Sequence, residues 1–118
     1  RVRSEMHLVV RALGSRDWEE AAAAIRQDPD DPQTVWDAER FEQALTPFFE
    51  EYGELLFTPE ARRHQYTRLE KTGDRVWTVS QTLLDPQGDN LWAAEGEIDL
   101  RDRHAAEGPL VRLLRIQP

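Results

Sequence analysis

The sequence predicts an α+β fold in which N-terminal helices pack on one side of a curved antiparallel sheet. Two observations carry that expectation. Up to Gly53 the apolar residues recur at the spacing of a helix face; beyond it they alternate in short runs divided by turn-forming residues. Residues 77–83 and 92–100 are also apolar on one side only, and the helical stripes are the natural cover for that surface.

Val2, Met6, Val9, Val10 and Leu13 form the first stripe, and Gly14 is its stop. Ser15 or Asp17 can cap a second helix carrying Trp18, Ala21, Ala22 and Ile25. Asp28-Pro29-Asp30-Asp31-Pro32 excludes helix and predicts a stiff acidic loop; its acids lack the ligand spacing of a calcium loop and read as caps and solvated groups. Asp37 is the expected N-cap of a third helix, with Phe41, Ala44, Leu45, Phe48, Phe49 and Tyr52 on one face and Gly53 at its end. Pro47 lies inside it and is expected to kink or split it, because proline lacks the amide proton and crowds the preceding turn.

The remainder reads as strands. Residues 54–57 are short and extended. Gln65 to Lys71 leads into a hairpin turn at Thr72-Gly73-Asp74, and Arg75 to Leu84 follows with Trp77, Val79 and Leu83 on one face. Asp85-Pro86-Gln87-Gly88-Asp89-Asn90 is a second turn. Leu91 to Leu100 sets Trp92, Ala94, Gly96, Ile98 and Leu100 against Ala93, Glu95, Glu97 and Asp99, and Leu110 to Ile116 closes the chain.

Length and charge narrow the function classes. The 118 residues suit one domain, expected to span 1–118, and the aromatic content argues against disorder. Arg1-Val2-Arg3 lacks an initiator Met and already reads as helix, so a piece cut from a larger protein is expected. No apolar run approaches the roughly 20 residues of a membrane span, so no membrane partner is expected. The chain has no cysteine, which removes disulfides and thiol chemistry and is compatible with a cytoplasmic location. A net charge of −8 opposes general affinity for nucleic acid. The one local basic excess, Arg1, Arg3, Arg11 and Arg16, holds the candidate phosphate contacts; the alternative is an ordinary helix surface.

No catalytic constellation is legible. His7, His64 and His104 lie in different elements, and no serine sits in a nucleophile elbow. Glycine-rich phosphate loops are absent, so no cofactor is expected and the chain alone is not read as an enzyme. Glu95, Glu97 and Asp99 share a strand face at a spacing of about 7 Å. Their apolar neighbours make that face the wet one, where Arg68, Lys71, Arg75, Arg112 or Arg115 can pair with them.

Two stretches carry a family resemblance. Trp36-Asp37-Ala38-Glu39-Arg40-Phe41, continuing through Leu45-Thr46-Pro47-Phe48-Phe49-Glu50-Glu51-Tyr52-Gly53, is one. The other is Trp77 to Trp92 with its Asp-Pro-x-Gly-Asp-Asn turn, followed by Glu95-Gly96-Glu97-Ile98-Asp99-Leu100. Together they resemble the uncharacterised C-terminal domain of large bacterial superfamily II helicases of the DEAD/DEAH-box type, over nearly the whole chain. The order of elements is also similar to the nuclear-transport-factor-2-like fold, a cone of curved sheet covered by helices. The resemblance implies a parent that uses ATP to remodel nucleic acid, although no Walker lysine, DEAD or DEAH tetrapeptide or arginine finger stands in these residues. Two readings follow. The first is a noncatalytic accessory domain that docks the helicase core of the same polypeptide or recruits a protein or nucleic-acid partner, with a homodimer as a further option. The alternative is a small-molecule-binding or enzymatic domain whose cone interior is lined from Phe41, Phe48, Tyr52, Trp77 and Trp92.

Overall fold

Residues 1–118 are all described in a computed structural model, and its elements follow the predicted order. Helices α1 (Val2–Gly14), α2 (Trp18–Ala23) and α3 (Ala38–Tyr52) precede strands β1 (Thr67–Gly73), β2 (Val76–Leu83), β3 (Trp92–Asp99) and β4 (Arg112–Gln117). The strands form one curved antiparallel sheet in the order β1-β2-β3-β4. The fold is therefore α+β. No helix is long and apolar enough to cross a membrane.

Local chemistry explains the boundaries. The Asp17 carboxylate accepts from the Glu20 amide and the Asp37 carboxylate from the Arg40 amide, so each N-cap satisfies a donor that its helix cannot. Gly53 ends α3 at φ +80°, a conformation that glycine adopts without a Cβ penalty. Pro47 does not split α3, which runs unbroken from Ala38 to Tyr52. The carbonyl that loses its partner belongs to Gln43; both residues are exposed, so water can replace the missing amide. The first hairpin turn also departs from expectation. Register slips between Lys71 and Gly73, which moves the turn onto Asp74-Arg75 and leaves Arg75, not a glycine, at φ +60°.

One core joins the layers. Met6, Val9, Val10 and Leu13 of α1 and Phe41, Leu45 and Phe48 of α3 are wholly or almost wholly buried against Val79, Leu83, Ala94, Ile98 and Leu113 of the sheet. Between α2 and α3 the chain is tied down by polar groups. Gln27 donates to the carbonyls of Ala22 and Trp36 and accepts from the Trp36 amide. Trp36 in turn donates its indole N–H to the Leu113 carbonyl at 2.9 Å, fastening this connection to the outer side of β4. Glu5 is a buried acid that sequence patterning passed over. Its Oε1 accepts from the amides of Leu110 (2.6 Å) and Val111 (3.2 Å), and Oε2 pairs with Arg1.

Candidate functional site

Three of the five predicted cone-lining aromatics, Phe48, Tyr52 and Trp92, come together ring against ring, and Phe41 is buried in the same core. Phe48 lies 5.0 Å from Tyr52 and 5.6 Å from Trp92, ring centre to ring centre, the separations of packed aromatic pairs. Phe41 stacks at 4.8 Å on Trp36. Phe41 and Phe48 are fully buried, Tyr52 and Trp92 nearly so. The Tyr52 hydroxyl donates to Asp89 at 3.0 Å, and burial followed by that acceptor pushes its pKa up to about 12.

Trp77 stands apart from this cluster. It is partly buried at the other end of β2, paired with Ile98, whereas Trp92 pairs with Leu83 six residues along the strand. At the strand rise that is a separation of about 20 Å. Alternation assigns a residue to a face but not to a position along it. The polar residue on that inner face is Gln81, fully buried and hydrogen-bonded to the Thr67 hydroxyl.

Each of the four N-terminal arginines is engaged within the chain. Arg1 pairs with Glu5 and donates to the Gly108 carbonyl. Arg3 donates to the Arg62 carbonyl, and Arg11 pairs with Glu20. Arg16 donates to the Gly53 carbonyl and lies 4.1 Å from the Phe49 ring centre. Near Arg3, His7 Nε2 is enclosed without a partner, as is Arg3 Nε. Burial, then the charges of Arg3 and Arg62, lower the His7 pKa below its ordinary 6.5.

On the outer face of the sheet the acidic row is paired across strands. Glu95 meets Arg115 at 3.4 Å, Glu97 meets Arg112 at 3.0 Å, and Asp99 meets Arg101 at 2.8 Å and Arg112 at 3.6 Å. Hydrogen bonds from the Arg101 side chain hold the Asp99 carboxyl down at about 2, against the opposing effect of burial. Arg68, Lys71 and Arg75, the other expected partners, make none of these pairs. No group of three His, Cys, Asp or Glu side chains is placed to hold a metal ion.

The Asp-Pro-x-Gly-Asp-Asn stretch proves to be a structural device. The buried Asp85 carboxylate accepts from the amides of Gln87 (2.9 Å), Asp89 (3.2 Å) and Asn90 (2.8 Å). Burial alone would raise its pKa, but these main-chain donors outweigh it and the net shift is downward. Gly88 and Asn90 take φ of +75° and +53°.

An apolar surface without a partner sits beside β1. Val2, Leu69, Trp77, Ile98, Leu100 and Leu110 line an entirely hydrophobic groove of about 190 Å³. Val2 is the one α1 residue at this corner, and Leu69 is left 48% exposed. Lys71 reaches over the Trp77 ring at 5.5 Å and covers part of it. Beyond Leu69 lies the open edge of the sheet. Every residue of β1 after Thr67 is exposed.

A family model described as "Domain of unknown function (DUF3516)" matches residues 1–116, and the chain belongs to that family. No curated protein matches the chain.

Proposed function

We propose that this chain is a noncatalytic accessory domain of a bacterial ATP-dependent helicase, acting in the cytoplasm, and that it docks on the motor of the same polypeptide through the groove beside β1. The two sequence stretches that resemble helicase C-terminal domains support the parentage. The observation that carries the docking role is the groove: six apolar side chains, with Trp77 and Leu69 left partly in water at one corner of an otherwise covered sheet face. Val2, in the first turn of α1, forms one of its walls. A motor joined ahead of Arg1 would meet that wall at high effective concentration.

Direct nucleic-acid binding draws less support, because each of the four N-terminal arginines is held by an acceptor of the chain itself and the net charge is −8. The small-molecule alternative needs an open cone, and Phe48, Tyr52 and Trp92 pack ring against ring where that opening would be.

The test is unwinding by the parent polypeptide carrying Leu69→Asp with Trp77→Ser, set beside deletion of residues 1–118. Docking predicts that both slow unwinding by similar factors while the isolated double variant keeps its folded circular dichroism. Wild-type unwinding by the folded double variant, or a coding sequence with no motor ahead of Arg1, contradicts it.

A further inference from the structure

The two edges of the sheet are treated differently. On the β4 side two outward carbonyls are occupied: Val111 accepts from the Arg26 amide at 2.7 Å and Leu113 from the Trp36 indole at 2.9 Å. On the β1 side none of the hydrogen bonds made outside the regular ladders involves a main-chain amide of residues 67–73.

Ladder phase identifies which β1 groups are free. The Leu100 amide donates to the Arg75 carbonyl at 2.8 Å. Because antiparallel pairs alternate, Trp77, Val79 and Gln81 then bond to β3, while Thr78 and Ser80 turn their main-chain groups to β1. Their β1 partners are Glu70 and Arg68. Thr67, Leu69 and Lys71 therefore present N–H and C=O outward. The same alternation places the Val111 and Leu113 carbonyls on the outer side of β4, where their partners are found.

Charge points the same way. The outer face of the four strands carries Arg68, Glu70, Glu95, Glu97, Asp99, Arg112 and Arg115; all are in ion pairs except Arg68 and Glu70. These two lie on the open strand, two residues apart, on either side of Leu69.

We infer that β1 pairs antiparallel with β1 of a second copy of this chain, about a two-fold axis at Leu69, to give a continuous eight-stranded sheet. In that register Leu69 faces Leu69, with reciprocal main-chain bonds between them, and Thr67 faces Lys71 in a second bonded pair on each side. Arg68 of each copy stands opposite Glu70 of the other, so the two unpaired charges of the outer face neutralise each other twice. Moving the axis to Glu70, a two-residue change of register that keeps the faces, sets Glu70 against Glu70 and Leu69 against Lys71, which disfavours that alternative. The pairing is isologous and closed, and it uses up both exposed edges. It also sets the two apolar grooves side by side across the axis, so it is compatible with docking but does not depend on it.

The experiment is sedimentation equilibrium of chain 1–118 from about 1 μM to 1 mM at roughly 0.15 M salt, where long-range repulsion between the acidic copies is screened. Wild type is expected to move from monomer to dimer mass. Arg68→Glu and Glu70→Arg, each of which sets like charges opposite, are expected to weaken the dimer about tenfold or more. The double swap Arg68→Glu with Glu70→Arg is expected to restore it. None of the three touches the groove or the β1–β2 ladder, and their partners across β2 are the neutral Ser80 and Thr78. A wild type that stays monomeric at 1 mM overturns the inference. So does a dimer that survives both single reversals, or one that the double swap fails to restore.

Discussion

Gly96→Ala is the substitution that most sharply tests how β3 and β4 meet. A Cβ built on Gly96 would lie 2.7 Å from the Arg112 carbonyl oxygen and 2.7 Å from Val111 Cγ1, where ordinary contact begins at 3.4 Å. One of the two obstacles is main chain and cannot rotate away. This close approach coincides with the bulge in β4, where Glu95 pairs with Arg115 and Gly96 with Leu113, skipping Leu114. Pushing β4 outward also strains the Arg112 pairs to Glu97 and Asp99. Overpacking of this kind costs about 1–3 kcal/mol, offset by roughly 0.4–1 kcal/mol from a less flexible unfolded chain. A net loss of about 1–2 kcal/mol corresponds to roughly 4–8 °C in melting temperature for a chain of this size. Thermal and urea unfolding followed by circular dichroism reads it directly. Gly73→Ala is the control: its nearest contact would be an ordinary 3.7 Å and its φ is unremarkable, so it should be neutral or slightly stabilising. A Gly96→Ala protein as stable as wild type, or equal losses in both variants, would refute the reasoning.

Other perturbations have defined signs. Asp85→Ala removes the acceptor of three turn amides and should cost about 3 kcal/mol in urea unfolding; a loss below a few tenths would contradict the turn's construction. Asp85 and Asp99 both have lowered pKa values, so their contribution to stability is complete above about pH 5. It should fall as pH drops below 3.8, for Asp99 through about 2, an acid limb that Asp85→Asn and Asp99→Asn should flatten. His7 also has a lowered pKa, so the unfolded chain takes up its proton first as pH falls through 6.5. Stability should therefore decline below that pH in wild type and less in His7→Gln; identical pH profiles would remove His7 from the account. Glu5→Ala strands the amides of Leu110 and Val111 and should destabilise by about 2 kcal/mol in the same assay, whereas a solvated surface acid would show almost no effect.

Much of the fold was legible because local rules decided it. Asp37 and Gly53 bracket α3 as cap and stop, and strict alternation from Trp92 to Ile98 placed β3 and its wet acidic face. Where local rules fell short, a physical circumstance outside them decided. Pro47 is tolerated because the carbonyl it abandons faces water. The first turn moved because a bulge in β1 cannot be read from turn propensities alone. Glu5 looked like a surface acid, yet its position on α1 brings it under the start of β4, more than a hundred residues away in sequence. The candidate site was less legible. Trp77 and Trp92 share a face but sit at opposite ends of it, so the expected aromatic lining divides into a filled core and an exposed groove. The groove itself gathers Val2, Leu69, Trp77, Ile98, Leu100 and Leu110 from distant parts of the chain, and that is a property of packing rather than of any motif. The unpaired charges at Arg68 and Glu70 acquire meaning only once β1 is known to be an edge.

The docking reading is tested most directly by isothermal titration of chain 1–118 into the separately produced motor of the parent polypeptide. Wild-type chain is expected to bind at one site per motor with a negative heat-capacity change, as burial of the Leu69–Trp77 groove requires. The folded Leu69→Asp, Trp77→Ser variant is expected to give no heat of binding. Equal affinity for the variant would move the contact elsewhere on the domain, and silence from the wild-type chain would contradict docking altogether.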